Sequence, residues 1–306
     1  MKKITLLVAI LAVGLFFVSC NKEGVYKPKN KIDRVYRSYS YKYEVNDYGY
    51  WETEDNYSSS KYVSQIWNWD GKLLKSISYY DSDGDLDYTE NYEYDGKRLS
   101  FISWGGSGRY VLNYDKGKLS SIESFYGNVK EASYDITHDN GKITAIRVTS
   151  YDYDKSAVAP LPVNALSFFI PAANSESLVE TMKKISERNS TKDVYTYDIK
   201  LEWDGKNVSR VSYINGAYTE TEDYTYDNKV NPYCGLFDIE DFGLNQILSK
   251  NNITRRVTRD SDNEYDEQEY TYTYDGKVPS MKSYSYSRTY DDYRYSYTYN
   301  YYYEYK

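Results

Sequence analysis

WDGKLLKSI, residues 69–77, is the stretch on which the reading of the fold turns, because it returns along the chain in recognisable form. The other copies are YDGKRLSFI (94–102), YDKGKLSSI (114–122), HDNGKITAI (138–146), WDGKNVSRV (203–211), a degenerate YDNKVNP (226–232) and YDGKVPSMK (274–282). Asp followed by Gly is a strong hairpin-turn signal, and the flanks are rich in aromatic and β-branched residues. Each copy therefore predicts two antiparallel strands joined by a tight turn. Ahead of the turn the large residues step by two, as in Trp67/Trp69, Tyr92/Tyr94, Leu201/Trp203, Tyr224/Tyr226 and Tyr272/Tyr274. Behind it they step by three, as in Leu99/Ile102, Leu119/Ile122 and Val208/Val211. A step of three shares one face only if a bulge intervenes, and the sequence leaves both arrangements open.

Working outward from the turns gives about sixteen strands, from 31–45 and 59–69 at one end to 278–290 and 293–305 at the other. All the Asp-Gly-Lys turns fall at one end of such a meander. A second population of connections, including 46–58, 81–86 and Asp291-Asp292, falls at the other. The chain ends in YSYTYNYYYEYK (295–306), with Tyr at every odd position from Tyr295 to Tyr305. Period two makes this a strand with a tyrosine face. If Asp291-Asp292 is the turn, Tyr284 faces Tyr299, Tyr286 faces Tyr297 and Arg288 faces Tyr295. Closure into a barrel requires 31–45 to pair with 293–305. The expected fold is all-β: an antiparallel up-and-down meander closing into a soluble barrel of porin size, with an open or wrapped sheet as the alternative. Two partly helical insertions interrupt it, 154–192 and 232–252, both apolar enough to need burial.

Residues 1–19 have the form of a signal peptide: Lys2 and Lys3, an apolar run from Ile4 to Val18, then Ser19 before Cys20. FVSC resembles a lipoprotein lipobox, which makes Cys20 the expected lipidation site and 20–30 the anchor and linker. The body, 31–306, is one domain. Cys234 then has no cysteine partner, so packing alone must hold the fold. Without Lys2 and Lys3, 36 of the 38 basic residues remain against 46 acidic ones, a formal charge of −10. That balance argues against nucleic acid as a partner. Forty-two tyrosines against eight phenylalanines mean that many buried hydroxyls need a hydrogen-bond partner or water.

The YD-G-K units resemble the YD repeats of Rhs-type proteins, whose hairpins line a hollow shell. Over the whole mature chain, the repeated YDGK turns, YDNKVNPY (226–233) and LSKNN (248–252) resemble Bacteroidota outer-membrane lipoproteins that carry a porin-like domain of unknown function. The resemblance implies a barrel at the outer membrane and supplies no catalytic residues. The non-aromatic face is polar, unlike the apolar band of a membrane-spanning barrel, which favours a tethered barrel over a spanning one.

No constellation marks an enzyme. His138, the single histidine, occupies the aromatic slot of its repeat and reads as structural. Cys234 reads as a small buried hydrophobe. Asp81, Asp83 and Asp85 alternate around Gly84 as weak calcium candidates, but the glycine and glutamate positions of a calcium loop are missing. No cofactor is expected. The expectation is a monomeric, non-enzymatic binding module at the outer membrane or cell surface. Its ligand, a glycan, would meet the tyrosine-rich lumen at Tyr284, Tyr286, Arg288, Tyr295, Tyr297 and Tyr299, or the distal loops. The alternative is a structural or adhesive protein whose tyrosines only pack.

Overall fold

The computed structural model describes residues 23–151, 194–236, 244–261, 265–289 and 292–306. The signal segment with Cys20 and the 154–192 insertion lie outside them. The strands are β1 (Ile32–Asp47), β2 (Tyr50–Ser58), β3 (Tyr62–Asp70), β4 (Leu73–Tyr80), β5 (Leu86–Asp95), β6 (Arg98–Trp104), β7 (Gly108–Asp115), β8 (Lys118–Tyr126) and β9 (Val129–Asp139). They continue as β10 (Lys142–Tyr151), β11 (Val194–Asp204), β12 (Asn207–Asn215), β13 (Tyr218–Tyr226), β14 (Ile253–Asp260), β15 (Tyr265–Asp275), β16 (Val278–Thr289) and β17 (Tyr293–Tyr305), with one short helix among the described residues, α1 (Leu244–Leu248).

Apart from β2 and β3, consecutive strands pair antiparallel, and β1 pairs with β17 from Ile32↔Tyr305 to Val45↔Tyr293, so the sheet closes into a barrel. Closure removes both free edges of the wall. On its other side β1 pairs first with β3 (Arg34↔Ile66) and further along with β2 (Ser40↔Ser58). β2 and β3 therefore run in line and share one wall position, which makes the barrel sixteen-stranded. The 46–58 connection expected from the sequence is corrected here, since 50–58 form β2. YWETEDNYS lacks the alternation by which a half-buried strand is recognised, and its backbone pairing to β1 alone orders it.

The step of three behind each turn is resolved by a bulge. Register shifts fall at Asn68/Trp69, Glu93/Tyr94, Asn113/Tyr114, Ile143/Ala145, Glu202/Trp203 and Thr273/Tyr274. Both large residues consequently face inward: Leu74 with Ile77, Leu99 with Ile102, Leu119 with Ile122, Val208 with Val211, all buried. The bulged residue is a small hydroxyl residue in several copies. Ser100 and Ser120 donate to the carbonyls of Glu93 and Asn113 across the hairpin, at 3.2 and 3.1 Å.

The aromatic residue before Asp-Gly has a matching task. Trp69 donates to the Ile32 carbonyl, Tyr94 to Leu74, Tyr114 to Leu99, Trp203 to Ile143 and Tyr226 to Val208, and Tyr305, which precedes no turn, does the same to Pro279, all at 2.5–2.9 Å, whereas Tyr274 donates to the Asp227 carboxylate. Most of these carbonyls sit beside the bulge of the neighbouring hairpin, where the ladder is interrupted and an unpaired buried carbonyl is costly. Tyr or Trp can reach them, and Phe cannot. A belt of side-chain hydrogen bonds thus links hairpin to hairpin around the turn end. Cations reinforce it: Lys31, Arg98 and Lys142 each lie over the next aromatic of the belt (Trp69, Tyr114, Trp203) and donate to the glycine carbonyl of its turn (Gly71, Gly117, Gly205).

His138 stands in the belt slot of its repeat and bonds instead to Glu23, 2.9 Å away. Glu23 also accepts from the Leu119 amide at 2.6 Å, so the N-terminal segment fills the gap that the histidine leaves. Gly24 accepts from the Leu99 amide, and Tyr26, 3 % exposed, stacks on Trp69 and donates to the Pro232 carbonyl. Residues 23–26, expected to be linker, are part of the barrel's turn end.

The outer wall carries cross-strand ion pairs, Arg147–Asp198, Arg210–Asp223, Arg259–Asp223 and Arg255–Glu267, with rows of Ser and Thr between them. A wall of this composition suits water rather than acyl chains.

Candidate ligand cavity and the tyrosine face

The seam of the barrel is built from β16, β17 and β1, and its register sets side chains in rows. Lys282–Tyr301–Arg37 form one row, Tyr284–Tyr299–Tyr39 the next, then Tyr286–Tyr297–Tyr41 and Arg288–Tyr295–Tyr43. The pairs expected from the sequence, 284 with 299, 286 with 297 and 288 with 295, are those observed. The rings touch along and across the strands: Tyr41–Tyr297 centroids lie 4.7 Å apart, Tyr284–Tyr299 5.2 Å and Tyr297–Tyr299 6.0 Å, and Arg288 lies 5.7 Å from the Tyr286 ring. This face is continuous with the core through buried Val35 and Tyr303.

The rows differ in depth. Pairing of β15 with β16 ends at Tyr270↔Tyr284, and β3 leaves β1 at Arg37↔Tyr62. Beyond that level β16, β17, β1 and β2 continue, paired only with one another, as a four-stranded extension of the wall. Of the six residues expected to bind ligand, Tyr284 alone lines the interior cavity. Tyr299 packs against the core beside it, while Tyr286, Arg288, Tyr295 and Tyr297 belong to the extension and are part-exposed.

The cavity has a volume of about 260 Å³. The seam contributes Arg37, Lys282, Tyr284, Tyr301 and Tyr303, and β3 to β5 contribute Gln65, Tyr79 and Tyr88 across from it. Tyr233 and Gln246 come from the 232–252 insertion, which leaves and rejoins the wall at the turn end and so bounds the cavity on that side. The insertion is clamped by the polar residues of YDNKVNPY and LSKNN. Asn231 donates to the carbonyls of Gln246 and Ser249, Asn252 donates to Asp227, and the Ser249 hydroxyl accepts from the Val208 amide and donates to Tyr226. Asn231, Ser249 and Asn252 are buried, so their hydrogen bonds are what makes this burial tolerable.

Lys282 is ringed by aromatic faces, 4.7 Å from the Tyr270 centroid, 5.8 Å from Tyr284 and 5.9 Å from Tyr301. Burial pulls its ammonium down to about 8, and nearby Arg256 adds to the effect. Arg37 lies 4.7 Å from the Tyr299 ring and 5.7 Å from Tyr301. Deeper in the barrel, Arg256 is 1 % exposed and sits 3.5 Å from both Glu222 and Asp266. Burial, and next the charge of Glu222, push neighbouring Glu220 up to about 8.

Acids and amides two residues before an inward aromatic supply the hydroxyl acceptors. Glu90 accepts from Tyr92 and Tyr79, Glu222 from Tyr224 and Tyr213, Gln268 from Tyr270, and Gln65 from Trp67. Sequence reading missed this extension of the repeat, visible as QIWNWD, ENYEYD and EDYTYD. It missed Arg37 and Lys282 as well. The signal was present, because each continues a period-two inward series: Val35, Arg37, Tyr39 and Lys282, Tyr284, Tyr286.

Asp81, a calcium candidate with Asp83 and Asp85, stands in the exposed loop between β4 and β5. Its carboxylate accepts from the amides of Asp83 and Asp85, which closes the loop on itself, and no group of three or more metal-ligating side chains is brought together among the described residues. Cys234 is part-buried in the second insertion.

Neither a protein-family model nor a curated protein matches the chain. Among solved structures it is similar to a porin-like protein from Bacteroides uniformis, with a TM-score of 0.47 and 12 % identity over 93 % of this chain and 100 % of that one. It is also similar to a porin-like protein from Bacteroides vulgatus, with a TM-score of 0.39 and 12 % identity over 79 % of this chain and 98 % of that one. Porin-like is the class of fold that the closed antiparallel wall defines by itself.

Proposed function

We propose that this protein is a lipid-anchored, non-enzymatic binding module of the outer membrane, which takes one sugar unit of a glycan into the cavity of its barrel. The observation that carries the reading is the cavity lining. Tyr79, Tyr88, Tyr284 and Tyr301 offer ring faces for stacking on sugar C–H surfaces, while Gln65, Gln246 and the hydroxyls offer hydrogen bonds. The volume lies just below the roughly 300 Å³ at which ligand pockets begin, a size for a single ring rather than a long chain. Anchoring at Cys20 follows the lipobox, and the fixed position of Glu23 gives it a consequence. Three residues of chain span at most about 10 Å, so the turn end would rest close to the membrane with the cavity on the side facing away.

Titration of the mature domain with soluble mono- and oligosaccharides, followed by intrinsic tyrosine and tryptophan fluorescence, should give saturable changes for a subset of sugars. Silence across a broad glycan panel would favour the second reading, an adhesive or structural protein. A specific feature supports that alternative: the four-stranded extension exposes Tyr48 and Tyr50, and the outer edge of β2 pairs with no strand among the described residues. Under that reading, removal of the β1–β2 hairpin would abolish surface interactions and leave the cavity irrelevant.

A further inference from the structure

We infer that the cavity selects an acidic sugar, one whose carboxylate or sulfate is held between Arg37 and Lys282. The inference rests on the proposed glycan-binding role of the same cavity and adds the chemical class of its ligand.

Three observations carry it. First, the register places Arg37 and Lys282 on either side of Tyr301, in one row on the inward face, and all three line the cavity. Two cations flank an aromatic ring, an arrangement that can stack a pyranose while its anionic group lies to one side. Second, neither cation is neutralised by a carboxylate of the described residues. Among the described residues no carboxylate lies within ion-pair distance of either, whereas Arg256, the other inward cation nearby, has both Glu222 and Asp266. Arg37 Nε is buried with no hydrogen-bond partner among the described residues. Third, the charged groups among the described lining residues, Arg37, Lys282 and Asp87, leave the balance positive. Asp87 lines the outer part of the cavity on an exposed position and pairs with neither cation. The groups otherwise facing Lys282 are the uncharged phenols Tyr270, Tyr284 and Tyr301, and Arg256 adds repulsion.

An uncompensated cation in a partly dehydrated site is unfavourable, and it becomes favourable when an anion arrives. A charge-assisted bond from Arg or Lys to such an anion is about twice as strong as a neutral one. Discrimination between an acidic sugar and its neutral counterpart should therefore be large relative to what the ring contacts supply.

The test uses the mature domain with glucuronate, glucose, glucose 6-sulfate and inorganic sulfate as probes, measured by calorimetry and by fluorescence at pH 7. Glucuronate or glucose 6-sulfate should bind at least tenfold more tightly than glucose, and the stronger of the two identifies the anion. Arg37→Gln and Lys282→Gln should each reduce affinity for the acidic probe tenfold or more while changing glucose binding less than threefold. Circular dichroism and urea midpoints of both variants would show that the fold is retained. Equal affinity for glucuronate and glucose, with both variants unaffected, overturns the acidic selectivity and leaves the glycan reading standing. Binding of inorganic sulfate as tightly as the acidic sugars overturns it too, since the cavity would then recognise an anion without the ring. No binding of any sugar removes the glycan reading itself.

Discussion

Lys282→Met should make the protein more stable and its pH response flatter. In the folded state burial holds the Lys282 ammonium at about 8, against 10.5 for an ordinary lysine. At ~1.4 kcal/mol per pH unit, the difference corresponds to a cost of roughly 3 kcal/mol for the charged side chain at pH 7. Because part of the side chain remains accessible in the cavity, the recoverable amount is about 1–3 kcal/mol. Methionine has similar length and meets the rings of Tyr270, Tyr284 and Tyr301 favourably. The sign follows from proton counting. Between pH 8 and 10.5 the unfolded chain holds a proton at this position that the folded chain has released, so wild-type stability rises with pH across that window. The cost is complete below pH 8 and has gone above 10.5. Urea unfolding of both proteins at pH 7 and pH 9.5 should therefore show a higher midpoint for the variant at pH 7, an unchanged m-value, and a gap more than halved at pH 9.5. A variant less stable than wild type at pH 7, or a gap independent of pH, would refute the reasoning.

Other expectations concern the belt, the N-terminal segment and the tyrosines. Gly24 has φ +73°, and a β-carbon there would lie 2.7 Å from Cζ of Tyr114 and 2.9 Å from Cγ of Arg98. Gly24→Ala should therefore release residues 23–26 and lower stability by about 2–4 kcal/mol, through left-handed strain and the loss of the hydrogen bonds that Glu23, Gly24 and Tyr26 make to the barrel, with the segment becoming sensitive to protease. Tyr226→Phe removes the donor to Val208 and the acceptor for Ser249, and should cost about 1–3 kcal/mol in urea unfolding, whereas Tyr48→Phe, fully exposed, should change nothing measurable. Burial pushes Tyr270 up to about 12 and Tyr213, Tyr224 and Tyr272 well above their ordinary range. Unfolded tyrosines lose their protons near pH 10 while these keep theirs, so stability should fall steeply above pH 10, seen as cooperative loss of near-UV circular dichroism. Cys20→Ala should yield an uncleaved or soluble precursor that takes up no acyl label, and retention of label would exclude this cysteine as the anchor.

The fold was legible because its signals are local and repeated. Asp-Gly turns, period-two flanks and a matching first and last strand were enough for the sixteen-strand wall, the closure of 31–45 on 293–305 and the register of β16 against β17. What failed to show was whatever depends on a neighbour distant in sequence. YWETEDNYS has no amphipathic pattern, and becomes a strand only because β1 extends past the wall and offers it an edge. The step of three after each turn could be resolved only by the bulge, whose position is fixed by the aromatic of the next hairpin reaching back to a carbonyl about twenty residues away. Glu23 carries no local sign of being the substitute partner for His138, which lies |i−j|=115 away.

The register of the tyrosine face was legible and the depth of each of its rows was not, and the reason lies in the several tasks tyrosine performs in this barrel. Tyr94, Tyr114, Tyr226 and Tyr305 hold neighbouring hairpins together, and Tyr92 and Tyr224 satisfy buried carboxylates, so a share of the tyrosine excess is accounted for by structure. An aromatic face on a strand cannot by itself indicate which task its rings have. Cations are more informative. In a chain with 46 acidic residues against 38 basic ones, a carboxylate partner is easily supplied, and the fold supplies two to Arg256. Stability alone would favour the same treatment, or an apolar residue, for Arg37 and Lys282. That neither has a carboxylate partner among the described residues, while both stand in one row with Tyr301 between them, is the reason for inferring an anionic partner from outside.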